Sequence, residues 1–124
     1  MTEIKTEIEL RQAISGEKTA AICFHSPRSA YSRRMVARLA TAERDFSNVD
    51  FHVVDADREA FLPLLLEFGV VGLPTLIIFR SGVRVKFLVG EHGEKAVAKH
   101  FGNWFGNVQP GQVLKKPARA VRKK

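Results

Sequence analysis

Cysteine is nearly absent: Cys23 is the one thiol in 124 residues. A single thiol excludes an internal disulfide framework and gives no sign of an oxidising compartment. It also leaves a structural zinc site, which needs about four clustered ligands, without its usual thiolates. The four histidines, His25, His52, His92 and His100, are scattered without ligand spacing, so no metal is expected. Missing too is any apolar run approaching the ~20 residues of a membrane-spanning helix. The N-terminal Met1-Thr2-Glu3-Ile4-Lys5 has neither the basic start nor the apolar core of a secretory leader, and a cytoplasmic location is expected. No Walker or dinucleotide fingerprint occurs. Gly90-Glu91-His92-Gly93 reads as a turn rather than a phosphate loop, and no cofactor is expected.

Anions are missing from one stretch. Residues 115–124, KKPARAVRKK, hold 6 of the 20 cations and none of the 13 acidic residues. The rest has 14 cations against 13 anions, so the net charge of +7 belongs mostly to this end. We expect residues 1–106 to form one domain with a modest core and residues 107–124 to be a basic, disordered tail. Such tails solubilise, or bind nucleic acid, anionic membrane surfaces or acidic proteins through charge. This tail lacks an aromatic residue on which a base could stack, which argues against nucleic acid as its partner.

What is present is a regular alternation of helix and strand signals. Glu7 to Ile14 has apolar residues at Ile8, Leu10, Ala13 and Ile14, and Ser15-Gly16 reads as a glycine stop. Lys18 to Phe24 is the first clear strand, with a possible short strand before the first helix. Ser29 suits a helix cap, followed by apolar Met35, Val36, Leu39 and Ala42 with arginines on the other side. Asn48 to Asp55 alternates as a strand. Phe61 to Phe68 is an apolar helix in which Pro63 fits only the first turn. Thr75 to Phe79 is apolar or β-branched throughout, the pattern of a strand covered on both faces. Pro74 cannot donate to a sheet and belongs at that strand's entrance. Arg80-Ser81-Gly82 joins it to Val83–Val89 as a hairpin. Glu94 to Phe105 places Val97, Phe101, Trp104 and Phe105 at helical spacing.

The segment Gly69-Val70-Val71-Gly72-Leu73-Pro74-Thr75 resembles the Gly-Ile/Val-x-Gly-Ile/Val-Pro-Thr signature of the thioredoxin family. The resemblance spans roughly residues 7 to 106 and implies an α/β thioredoxin fold: a central mixed sheet of four to five strands flanked by helices on both faces. In that family the proline is cis and faces a Trp-Cys-Gly-Pro-Cys loop. Its Cys-x-x-Cys window falls here on Ser29-Ala30-Tyr31-Ser32, so both catalytic cysteines are serine. Dithiol–disulfide exchange needs a thiolate and a resolving thiol, and a hydroxyl supplies neither at neutral pH. Cys23 stands where the family has a buried aspartate, and a lone cysteine in an apolar strand reads as an inert core residue.

The resemblance also implies a groove. Beside the proline, family members pair backbone groups with an extended peptide. The corresponding lining here would be Arg28, Tyr31, Leu73, Pro74, Thr75 and Gly90. Arg28, Arg33, Arg34 and Arg38 gather near the serine loop; they read either as a solvated helix face or as a basic rim favouring acidic partner segments. Ser29 and Ser32 suit helix capping. A serine nucleophile would need His25 as base with a third group to orient it, and no carboxylate in the loop is placed to do so.

The expected function is therefore a redox-inactive thioredoxin-like protein, a monomer or weak dimer, that binds a partner protein or extended peptide. Cysteine-less proteins of this fold include maturation chaperones, such as those serving hydrogenase assembly, which implies a chaperone or adaptor role. The alternatives are an oxidoreductase with atypical single-thiol chemistry at Cys23, and a tail-mediated binder of nucleic acid or membrane surface.

Overall fold

The computed structural model describes residues 1–106; the expected basic tail, 107–124, lies outside the described residues. Ten elements follow in order: β1 (Thr2–Ile4), α1 (Glu7–Ser15), β2 (Thr19–His25), α2 (Ala30–Asp45), β3 (Val49–Asp55), a 3-10 turn (Glu59–Phe61), α3 (Leu62–Phe68), β4 (Thr75–Arg80), β5 (Val83–Val89) and α4 (Glu94–Phe105). The strands form one mixed sheet in the order β1-β3-β2-β4-β5. β1 and β2 run parallel to β3, while β4 is antiparallel to both β2 and β5.

Alternation along the central strands builds a core on each face. Ala20, Ile22 and Phe24 of β2 join Ile77 and Phe79 of β4 beneath α1 and α3. Ala21 and Cys23 join Leu76 and Ile78 on the opposite face, where α2 and α4 dock. This two-sided cover is why β2 and β4 read as unbroken apolar runs. Phe101 seals the second core, stacking on Phe51 at 5.4 Å and meeting Phe46 at 5.7 Å between ring centres.

Local chemistry sets the helix ends. Thr6 caps α1, its hydroxyl accepting the Glu9 N–H at 3.1 Å, and the Glu9 carboxylate in return takes the Lys5 N–H at 2.7 Å. α3 ends in a Schellman turn: Gly69 is left-handed (φ +73°), its N–H reaches Leu66, and the Val70 N–H reaches Leu65 at 2.8 Å. Gly16 departs from expectation. Its φ of −67° with ψ of 168° is extended backbone, so α1 ends without a left-handed residue. Two smaller corrections apply. Arg80 belongs to β4, leaving a two-residue Ser81-Gly82 turn whose φ values, +52° and +83°, suit a twisted hairpin. Phe61 belongs to the 3-10 turn, so α3 begins at Leu62, with Pro63 in its first turn.

Candidate functional site

Strand pairing brings the predicted segments to one end of the sheet. His25 lies opposite Asp55, Phe24 opposite Thr75, and Thr75 opposite Val89. The chain leaving β2 therefore enters the serine loop beside Pro74, and the chain leaving β5 passes on Pro74's other side. The Leu73–Pro74 peptide is cis. The Gly90 N–H donates to the Pro74 carbonyl at 2.7 Å, and the Thr75 hydroxyl to the Gly72 carbonyl at 2.6 Å. Gly90 has φ +91°, a conformation that favours glycine. Among the described residues, the N–H and C=O of Leu73 make no hydrogen bond.

The two serines hold the loop together. Ser29 is the cap of α2, its hydroxyl accepting the Ser32 N–H at 3.4 Å. Ser32 is fully buried, and its hydroxyl accepts the Ser26 N–H at 3.0 Å. Ser26 in turn donates its hydroxyl to Asp57 at 2.7 Å, and Arg28 reaches the same carboxylate at 3.3 Å. The Ser26 hydroxyl, then Arg28, hold the Asp57 carboxyl below the usual range. Among the described residues, the His25 side chain makes no hydrogen bond to either loop serine, and its Nδ1 is buried without a hydrogen-bond partner. Burial lowers the pKa of this imidazole, against the pull of Asp55, Glu3 and Asp57. Among the described residues, no hydrogen-bonded nucleophile–base pair is formed at this loop.

Cys23 is fully buried between α2 and the sheet, and burial pushes its thiol up to about 12. At neutral pH the group is therefore held as the thiol, the unreactive form.

The arginines sit differently from an open basic rim. Arg34 grips Glu91 through two hydrogen bonds of 2.7 and 2.8 Å, and Arg38 adds one of 2.6 Å to the same carboxylate and another of 2.8 Å to the His92 carbonyl. Arg34 and then Arg38 draw the Glu91 carboxyl down to about 2. Arg28 pairs with Asp57, and Arg33 donates to the Pro27 carbonyl at 3.0 Å. Three of the four cations are thus engaged by carboxylates of this chain. Sequence reading missed Asp57 and Glu91 because both partners are distant along the chain. The one available signal was the spacing of Arg34 and Arg38, which places them on one helix face.

Tyr31 projects from the loop, 62% exposed, with the Arg34 guanidinium 5.2 Å over its ring. Across the cis-proline turn, Val71 is 92% exposed and Val89 50% exposed, with Leu62 and Leu66 uncovered on α3. The turn lies close to β5: a Cβ at Gly72 would stand 3.6 Å from the Val89 side chain, ordinary van der Waals contact. The site is thus an open surface of free backbone and uncovered apolar side chains, fixed from behind by buried hydroxyls and an arginine–glutamate clamp. A separate concavity of about 590 Å³ lies away from it, beside α1, with Glu3, Glu9, Glu17 and Asp50 at its rim.

Comparison with known proteins follows this geometry. No curated protein matches the sequence. Among solved structures, a Plasmodium falciparum thioredoxin superposes with a TM-score of 0.75 at 15% identity, covering 84% of this chain and 99% of that one. Mitochondrial thioredoxin 3 of Saccharomyces cerevisiae, in its oxidised form, gives 0.72 at 19%, covering 83% and 94%. Thioredoxin O2 of Arabidopsis thaliana, also oxidised, gives 0.73 at 19%, covering 84% and 93%. At these identities the likeness is one of fold. The family model described as Thioredoxin matches residues 2–102, from the first strand into the last helix, and by that match this chain, whose single cysteine is buried in β2, belongs to the thioredoxin family.

Proposed function

We propose that this protein binds an extended segment of a partner polypeptide, without redox chemistry, at the surface formed by Arg28, Tyr31, Leu73, Pro74, Thr75 and Gly90, in a chaperone or adaptor role. One observation carries the reading: the loop positions that would hold thiols hold serines engaged in structure, while the Leu73 backbone beside them is unpaired. Docking by added-strand pairing draws on those N–H and C=O groups and needs no thiol. Val71, Val89 and Tyr31 supply apolar contact area around that backbone. An extended chain suits the unpaired backbone of Leu73 and the exposed Tyr31, Val71 and Val89 better than a small molecule does.

The test is selection of binding peptides against the full chain, followed by amide hydrogen exchange on the complex. The reading expects slowed exchange at Leu73, with little change at the far end of the sheet. Selected peptides that protect other elements and leave Leu73 untouched would overturn it. Reduction of a disulfide substrate that disappears in Cys23→Ala would instead establish the single-thiol oxidoreductase. The burial of Cys23 argues against that outcome.

A further inference from the structure

Among the described residues, β5 is the outermost strand, with β4 as its one neighbour in the sheet. Its other edge presents alternate N–H and C=O groups to solvent, a template for one more strand. Six of its seven residues are exposed, and Leu88 is half-buried. Pairing sorts them by face. Phe87 and Val89 lie opposite Ile77 and Thr75, on the side of α1 and α3; Lys86 and Leu88 lie opposite Ile78 and Leu76, on the side of α2 and α4. From Thr75 to Gly90 there is no acidic residue, and Arg80, Arg84 and Lys86 stand in the hairpin.

The edge carries two of the devices that blunt exposed strands, a lysine and a bulge. The irregularity falls where Ile78 and Phe79 meet Lys86 and Arg84, leaving Lys86 to Val89 in regular register. These features disfavour a second copy of this chain. Antiparallel pairing of two β5 strands centred on Val85 sets Arg84 of one copy against Lys86 of the other, and pairing centred on Lys86 sets the two lysines face to face; facing like charges destabilise a ladder. The same cations favour a strand that carries acids.

We propose that the free edge of β5 accepts an extended partner segment as a sixth strand, with apolar residues beside Phe87 and Val89 and acidic residues beside Lys86. Such a segment alternates apolar and acidic residues, so that one face of it extends each face of the sheet. This edge adjoins the Leu73 surface, with Val89 at the border of both, but pairing along Val83–Val89 draws on other backbone groups than those of Leu73 and stands whether or not that surface binds.

The experiment uses the full chain and two capped eight-residue probes, four Val-Glu repeats and four Val-Lys repeats, with exchange followed at individual amides. At millimolar Val-Glu probe, the outward amides of β5 should exchange about fivefold or more slowly, and the Val-Lys probe should leave them unchanged. Lys86→Glu should invert that preference. Equal effects of both probes, or no slowing in β5, overturn the proposal. So does slowing at Leu73 alone, which would instead support the neighbouring surface. Binding of Val-Glu without β5 protection would mean attraction to residues 115–124. Protection that rises with protein concentration in the absence of probe would make a second copy the occupant.

Discussion

At the scale of single residues, the two loop hydroxyls hold structure. Ser32 is buried and holds the Ser26 N–H, so its hydroxyl closes the turn that carries Ser29 to the helix start. Removing that acceptor leaves a partly buried donor unsatisfied, at a cost of about 1–3 kcal/mol. Ser32→Ala is therefore expected to lower the denaturation free energy by about that amount, measured by urea unfolding. A loss under about 0.5 kcal/mol, the range of ordinary surface substitutions, would show that the bond is unimportant. Ser29→Ala should cost less, about 1 kcal/mol, the ordinary worth of a helix cap. Cys23 shows the opposite logic. It lies in the apolar cluster beneath α2 and α4, and burial raises its pKa.

At the scale of elements, sequence legibility follows the range of the interactions involved. β2 and β4 announce themselves because both faces are covered, and α4 because Val97, Phe101, Trp104 and Phe105 repeat with the helix. Gly69 is legible as a helix stop because only a left-handed residue closes that turn. Gly16 looks the same in sequence but sits in extended backbone, since its conformation depends on the strand that follows. The Arg34–Glu91–Arg38 clamp joins α2 to the loop after β5, and no local pattern predicts such a contact. Likewise the fold tells which strand is outermost, whereas β5 itself reads as an ordinary apolar strand. The helix start provides the sharpest test of the loop alignment. Ser29 and Ser32 are neighbours across the first turn of α2, so Ser29→Cys combined with Ser32→Cys should close an intramolecular disulfide under mild oxidation. Thiol counting before and after unfolding checks this, with Cys23 as the thiol that remains. Free thiols at all three positions, or covalent dimers, would place the two serines elsewhere relative to each other.

At the scale of the whole molecule, protons act on stability through two groups of residues. Burial holds His25 and His52 below the ordinary imidazole value of 6.5. The unfolded chain therefore binds protons at these sites more readily than the folded one. Stability should be level above about pH 6.5 and decline as pH falls through the lowered folded values. The carboxyls of Glu91, Asp57 and Glu67 are also lowered, chiefly by Arg34, Ser26 and Arg11 respectively. Their contribution is present above the ordinary 4.5 of Glu91 and is lost as pH falls toward its folded value of about 2. Calorimetry from pH 8 to pH 3 should thus show a plateau, a shallow fall from near 6.5, and a steeper one below 4.5. His25→Gln with His52→Gln should abolish the shallow fall and keep the steeper one; a melting temperature unchanged from pH 8 to pH 5 in the parent would contradict this account. The serines have one more consequence, which concerns time. A thiol at this loop can hold its partner by a covalent bond whose lifetime depends on a second chemical event. A hydroxyl forms no such bond, so any complex here is dissolved by dilution alone. Its residence is set by dissociation, and occupancy follows the partner's concentration with the lag of that residence time.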